Sequence, residues 1–310
     1  MSDAPTPDPA APFDRRLLSR RRERAAAGLD RHDFLFREAA ERLADRLDDV
    51  RRKFPLALDL GCHSGQLAAT LHGRGGIEQL IQCDLSPTMA RRASANGFPA
   101  LAADEELLPF ANGSFDLILS CLDLHWVNDL PGALLQIRQA LKPDGMFLAV
   151  LFGLGTLAEL RDCLIEAEAE IKGGASPRIS PFADARDGAG LLQRAGFGLP
   201  VADVESLTVT YPDALALMRD LGGMGESNAA RARSDRFAGR EFFARAAALY
   251  ARRHGEESGR IPARFRLVFL TGWAPHESQQ KALSPGSARH RLAGVLDSVE
   301  RKAGERARLK

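Results

Sequence analysis

Two hydrophobic periods divide this chain. Over residues 13–50 apolar positions recur at helical spacing, as in FLFREAAERLADRL, with charged residues on the remaining faces. From LALDL at 56–60 onward, short apolar runs alternate with amphipathic stretches. LALDL reads as a strand, residues 66–73 as a helix and QLIQCDL as a second strand. SPTMARRASANG predicts a helix with Ser86 as N-cap, Pro87 at the first helical position and Gly97 as its stop. FPALAAD is a third strand and FDLILSCL a fourth, unbroken in apolar character as a strand covered on both faces should be. LPGALLQIRQAL predicts a helix closed by a KPDG turn, and MFLAVLFG a fifth strand. Strands and helices alternating at this pace predict an α/β fold with parallel pairing.

Beyond residue 153 the rhythm changes. A helix at 156–171 leads into a Gly/Pro/Ser loop, GGASPRISPF, and DGAGLLQRAGF is a helix closed by Gly196. PVADVESLTVTY predicts a sixth strand, and ARFRLVFLTGWA at 263–274 a seventh, with a helical stretch at 213–254 inserted between them. The expected organisation is a disordered Pro/Ala-rich tail at 1–12, one domain at 13–283 and a charged, solvated tail at 284–310. Within the domain, N-terminal helices occupy 13–53, a nucleotide-binding core 54–153 and a helical cap 213–254.

Charge and composition exclude more than they assign. The 42 basic and 41 acidic residues leave a formal net charge of +1, which argues against a nucleic-acid binder. No run of 18 apolar residues offers a transmembrane helix. Cys62, Cys83, Cys121 and Cys163 have neither CxxC pairing nor metal-type spacing, which fits a reducing cytoplasm. The Arg-rich FDRRLLSRRRERAAA at 13–27 has the look of a transit peptide, but Asp3, Asp8, Asp14 and Glu23 are out of place in one. A cytoplasmic location is the expectation.

The chemistry starts at the turn after the first strand. Gln66 excludes a P-loop, and Gly61-x-x-x-Gly65 does not match the dinucleotide pattern. Asp59 precedes the first glycine by two residues, where a carboxylate would repel a pyrophosphate and favour a sulfonium. S-adenosylmethionine is such a ligand. Asp84 ends the second strand, where it can accept both ribose hydroxyl protons. Asp104, with Glu105 beside it, ends the third and can accept from an adenine amine. At the carboxyl ends of three parallel strands these acids line the crevice where open α/β sheets bind ligands. His63 stands where another glycine is usual. It is expected to point to solvent, the alternative being a polar group near the ligand carboxylate, and a positive φ there would strain it.

These residues resemble the class I methyltransferase superfamily, through LDLGCHSG, CDLS and ADEELLPFANGSFDLILSCLDLHWVNDLPGALLQIRQALKPDG. Within it, FDRRLLSRRRERAA, GGASPRISPF, DLGGMGESNAARAR and GWAPHESQQKALSPGSA are similar to the complex I assembly factors that hydroxylate an arginine on an iron–sulfur subunit. The similarity covers residues 13–288. It implies a Rossmann-like, seven-stranded, mostly parallel sheet in the order 3-2-1-4-5-7-6, the seventh strand antiparallel, under a helical cap. The cofactor residues implied are Asp59, Gly61, Cys62, His63, Gly65, Asp84, Leu85, Asp104, Glu105 and Cys121. The implied partner is the iron–sulfur subunit of complex I, with peripheral membrane association through that complex. The carrier-protein-malonyl O-methyltransferases are similar in the core and less so outside it.

His125 in CLDLHW is the obvious general base for methyl transfer. Hydroxylation of an unactivated carbon needs an oxygen-activating centre. His125, His276 and Glu277 would supply a facial triad if the seventh strand brought 276 across the sheet. Glu226 joins His125 as a catalytic candidate, the other reading being a cap or partner contact: Gly222, Gly223 and Gly225 are expected to break the helix and turn Glu226 and Asn228 outward, to grip a partner's guanidinium, the alternative being an ordinary helix start with Ser227 or Asn228 as N-cap. Three functions compete: a protein-arginine hydroxylase of complex I assembly, an S-adenosylmethionine-dependent methyltransferase and a non-catalytic assembly chaperone.

Overall fold

Hydrophobic alternation along the short strands builds one sheet with a core on each face. The structure is a computed structural model, and it describes residues 11–180, 182, 185–280 and 298. Helices α1 (Arg15–Ala26) and α2 (Phe34–Asp48) precede β1 (Leu56–Leu60), α3 (Gln66–Leu71), β2 (Gln79–Asp84), α4 (Pro87–Ala93) and β3 (Ala100–Ala102). Then come β4 (Phe115–Cys121), α5 (Leu130–Ala140), β5 (Leu141–Phe152), α6 (Ala158–Lys172) and α7 (Ala185–Arg194). The order ends with β6 (Gly198–Tyr211), α8 (Ala214–Gly223), α9 (Gly239–His254) and β7 (Ile261–Trp273). The sheet runs β3-β2-β1-β4-β5-β7-β6, with β7 antiparallel to both its neighbours.

In β1, Ala57 joins the core under α2 and α3, while Leu58 and Leu60 face the core under α5. The helical period of α2 puts Leu35, Phe36, Ala39, Ala40, Leu43 and Leu47 on its buried stripe. Helix α4 starts where the sequence places it, the Ser86 hydroxyl accepting from Met89 N at 3.3 Å. The Arg-rich stretch at 13–27 is no free leader: it forms α1, with Asp14 capping Leu17 N at 2.9 Å and Leu18 and Arg22 buried.

Three expectations change. The KPDG turn lies inside the span of β5, where Asp144 turns at φ +62° and the ladder to β4 shifts register. The cap is not continuous helix: residues 224–238 separate α8 from α9. Gly222 and Gly223 stay helical, because the His32 ring packs where a Cβ on Gly223 would lie, 2.3 Å from His32 Cδ2. The chain turns instead at Gly225, φ +82°, with Glu226 N bonded to Leu221 O at 3.0 Å and Gly225 N to Gly222 O at 3.2 Å. That pair of bonds around a left-handed glycine ends the helix as a Schellman motif.

The chain divides into one unit ending at His276 and a second starting at Glu277. The proposed disordered tail falls almost wholly outside the described residues, as does the charged tail at 284–310. No helix among the described residues is long and apolar enough to cross a membrane.

Candidate functional site

Parallel pairing of β1 with β2 and β4 brings their carboxyl ends to one edge, and with them a crown of acids. Gly61 (φ +74°) turns the chain off β1 and admits a close neighbour: a Cβ there would sit 2.1 Å from the Asp123 carboxyl carbon. The amides of Gly61 and Cys62 both donate to Cys83 O at 2.9 Å, which ties the loop to β2. Asp84 is fully buried; its Oδ1 accepts from Ser86 N at 2.7 Å and its Oδ2 from His63 N at 3.0 Å.

Two arginines of α1 answer these acids. Arg22, with no exposed surface, reaches Asp84 Oδ2 at 3.4 Å and hydrogen-bonds Asp123 Oδ1. Arg15 donates to Asp104 Oδ1 at 2.6 Å and also to Glu105. The reading of Asp104 and Glu105 as groups facing an adenine amine therefore needs Arg15 to share them. Sequence inspection missed Arg15, Arg22 and Asp123. The signal was there in the helical spacing of Arg15 and Arg22, but a basic helix reads as a solvated face until its partner is known.

Burial sets the charge states. Asp59 has no hydrogen-bond partner on either oxygen, and burial, helped by Asp84 and Asp123, pushes its carboxyl up to about 8. Burial thus opposes the ionised Asp59 that the sequence reading places beside a sulfonium. Burial, then Asp123, pushes Glu105 up to about 7, with Arg15 and Arg22 pulling the other way. Burial likewise raises the thiols of Cys62, Cys83 and Cys121 well above their ordinary value.

His63 does not point to solvent; it is 2% exposed. Its backbone is left-handed, φ +49°, and the ring packs on Phe36 with centroids 4.2 Å apart while Nε2 meets Leu122 O at 3.2 Å. Burial and the nearby Arg22 charge lower its pKa to about 4, so the ring is neutral. Among the other expected contacts, Gly65 (φ +91°) lies against Asn96, Cys121 is buried with its thiol towards Phe36 O, and Leu85 packs with Phe13, Leu18 and Trp126.

A second group forms beyond β4, where a single 3-10 turn, Leu124–Trp126, presents His125 and Trp126. The Schellman turn after α8 aims Glu226 at them. Glu226 Oε2 lies 3.1 Å from His125 Nε2 and accepts from Trp126 Nε1 at 2.8 Å. Its side chain is 3% exposed, which overturns the outward-facing reading. Burial opposes its charge, but the His125 hydrogen bond and the His125 and Arg22 charges hold the carboxyl below its usual range. Asn228 is half-buried and bonds within the protein, its amide donating to Pro177 O at 2.8 Å and its oxygen accepting from Ala230 N at 3.0 Å. Beside Glu226 opens a cavity of about 590 Å³ walled by Trp126, Phe152, Phe242, Phe243 and Phe265.

The facial triad does not assemble. Because β7 runs antiparallel, Trp273 pairs with Met146 at the foot of β5, while His125 follows β4 at the crest. The six steps from Met146 to Phe152 span roughly 20 Å at 3.3 Å per residue, and His276 lies at the far end. Glu277 belongs to the second unit. No cluster of three potential metal ligands occurs among the described residues.

The residues at the crest fit S-adenosylmethionine in kind. Buried atoms without a partner in the protein gather there: both Asp59 oxygens, Asp123 Oδ2, Glu105 Oε1, His63 Nδ1 and Arg22 Nε. A ligand with hydroxyls, an amine and a positive charge suits that set, provided the Arg22 guanidinium gives way at Asp84.

Comparison with known proteins agrees with this architecture. Residues 58–149 match the family described as Methyltransferase domain. The YcgJ protein of Bacillus subtilis shares the fold, with a TM-score of 0.54 at 15% identity over 76% of this chain and 98% of that one. The arginine-hydroxylase NDUFAF5, mitochondrial, of Danio rerio is 45% identical over 280 residues, 89% of this chain and 87% of that protein. Its human counterpart is 44% identical over 89% of this chain and 81% of its own length. The malonyl-[acyl-carrier protein] O-methyltransferase of Laribacter hongkongensis is 35% identical over 85% of this chain and 91% of that protein. With a methyltransferase sheet, an acid crown at its crest and this identity along nearly the whole length, the chain belongs to the family of arginine-hydroxylase NDUFAF5 and its methyltransferase-domain relatives.

Proposed function

We propose that this chain binds S-adenosylmethionine at the acid crown and hydroxylates an arginine of the iron–sulfur subunit of respiratory complex I during its assembly. The observation that carries the reading is the adjacency of two sites: a crown rich in unpartnered polar atoms, and a buried His125–Glu226 pair opening on an aromatic cavity. Asp84 would hold the ribose, Asp104 and Glu105 the adenine, and the turn at Gly61 and Gly65 the methionyl part. When bound, the cofactor supplies an electrophilic sulfonium centre and a source of methyl groups.

The chain's own residues bind, orient and exclude water. The carboxylate of Glu226 fixes His125 by accepting at Nε2, so the unpartnered Nδ1 is left to meet a proton on the substrate side. Phe152 packs on the His125 ring with centroids 4.8 Å apart and limits its rotation. Hydroxylation would further require dioxygen as oxidant, an oxygen-activating centre and a two-electron reductant, the second oxygen atom leaving as water; the target would lie beside His125. All four cysteines are free and buried, as suits the reducing cytoplasm we assign. Docking on a complex I subunit would bring the chain to a membrane surface, and no helix among the described residues is long and apolar enough to cross it.

A second reading has one observation in its favour. The His125–Glu226 pair has the form of a general base held by a carboxylate, which methyl transfer to a carboxyl or other nucleophile can use. Intact-mass analysis of the co-expressed quinone-proximal iron–sulfur subunit separates the readings. An added oxygen that disappears when this chain is omitted supports arginine hydroxylation. An added methylene means methyl transfer, and an unchanged mass with intact assembly means a chaperone.

A further inference from the structure

Among the charged side chains that line the aromatic cavity, Glu226 has a buried atom without a partner. Glu226 directs Oε2 at two donors, His125 and Trp126, while Oε1 has no hydrogen-bond partner in the protein. The other charged groups of the wall already have hydrogen-bond or ionic partners, those of Arg21 being backbone carbonyls. Arg21 donates to Ser227 O at 2.8 Å and to Asn228 O, Arg178 is held by Glu168, and Arg233 lies near Asp14 and Asp235. An ionised carboxylate oxygen buried without a donor is costly, so this wall favours a ligand bringing both positive charge and N–H groups.

We propose that the cavity receives the guanidinium of an arginine side chain offered by a protein partner, with Glu226 Oε1 accepting its N–H donors and the aromatic walls enclosing its aliphatic stem. Ligand shape argues for this cation over an ammonium. A guanidinium is planar and weakly hydrated and stacks on aromatic faces, whereas an ammonium gives up a tighter water shell on entering an apolar chamber. The volume of about 590 Å³ lies within the range of small-ligand pockets. The inference rests on the proposed function for the identity of the residue acted on, and adds where and by what chemistry it is recognised.

The Schellman turn makes this specific to the fold. Gly225 allows the left-handed turn, Glu226 follows it, and Arg21 of α1 secures the next two carbonyls. The carboxylate is thus held by backbone geometry as well as by His125 and Trp126, a preorganised acceptor rather than a mobile one.

The test uses the full-length protein and the indole N–H resonances of Trp126 and Trp273. Trp126 Nε1 bonds Glu226, while Trp273 lies at the foot of the sheet and serves as an internal control. Capped glycine-flanked peptides carrying arginine, citrulline or lysine are titrated in turn. The arginine peptide is expected to move the Trp126 resonance saturably and leave Trp273 in place. Citrulline, of the same shape without charge, should leave both in place, and lysine should bind at least about tenfold more weakly, equivalent to 1.4 kcal/mol. Glu226→Gln keeps an acceptor for His125 and Trp126 and should abolish the arginine response. Phe243→Ala should weaken the arginine response while keeping discrimination against citrulline. Equal responses to arginine and citrulline, undiminished arginine binding by Glu226→Gln, or no Trp126 response to any peptide would each overturn the proposal. Subunit hydroxylation by Glu226→Gln at the wild-type level would sink this inference and leave the proposed function standing. Glu226-dependent guanidinium binding without product would do the reverse.

Discussion

The crown above β1, β2 and β4 and the chamber behind His125 lie side by side but are closed by different physics. In the crown, charge meets charge: Arg22 and Arg15 come from α1 to acids that the sheet has already buried. In the chamber, aromatic walls enclose open volume, and one carboxylate holds a histidine and an indole. The first arrangement must exchange an internal cation to admit a ligand, whereas the second has space and an unpartnered acceptor waiting. Helix α1 joins them, because Arg22 sits on the crown while Arg21, one residue earlier, secures Ser227 and Asn228 beside the chamber. One helix thus contributes side chains to both regions.

The largest test of this contrast is to remove the crown's internal cation. Arg22→Met leaves Asp84 and Asp123 buried without their partner, and unfolding free energy in urea should fall by about 3–5 kcal/mol. Wild-type stability in that variant would mean the crown tolerates unpaired acids and does not depend on α1.

Next in size is the chamber's counterpart. Trp126→Phe removes the indole donor to Glu226, and a lost hydrogen bond to a charged group should cost about 1.5–3 kcal/mol in the same measurement. A loss as large as that of Arg22→Met would erase the distinction between a charge-closed and an aromatic-closed site. Asp84→Ala should weaken S-adenosylhomocysteine binding by a similar roughly 1.5–3 kcal/mol in calorimetry. An affinity equal to wild type removes Asp84 from the ribose role.

The smallest effect is a slope with pH. Asp59, raised in the fold to about 8, binds its proton more tightly folded than unfolded, so its contribution is present at low pH and is lost as pH rises through 8. Glu105, raised to about 7, acts with the same sign up to that pH. His63, lowered to about 4, acts oppositely, its contribution lost as pH falls from 6.5 towards 4. Between pH 7 and 8 Asp59 should dominate a downward tilt of stability, by at most about 1.4 kcal/mol per pH unit from that group, with a fading contribution of the same sign from Glu105. Asp59→Asn should flatten that limb in pH-dependent denaturation and leave nucleoside affinity at pH 7 unchanged, since an amide and a neutral acid carry the same charge. A persistent slope in the variant would place the titration elsewhere.

Sequence by itself determined the frame. Alternating apolar runs and helical stretches gave the strands to within a few residues, because burial on both faces of a parallel sheet leaves a continuous apolar signature. The glycines at 61 and 65 and the acids at 59, 84 and 104 were legible as neighbours at one edge of the sheet, since a strand-end position is set by local pattern. Tertiary structure decided what those groups do. Asp59 is neutral because the sheet buries it beside two other acids, and His63 is inside because Phe36 of α2 covers it. Glu226 points inward because Gly223 stays helical against His32 and the turn waits for Gly225. His276 cannot join His125 because β7 runs antiparallel and carries it to the other end of the sheet. Each of these depends on which distant element packs against a residue, and long-range packing leaves no periodic trace in the chain.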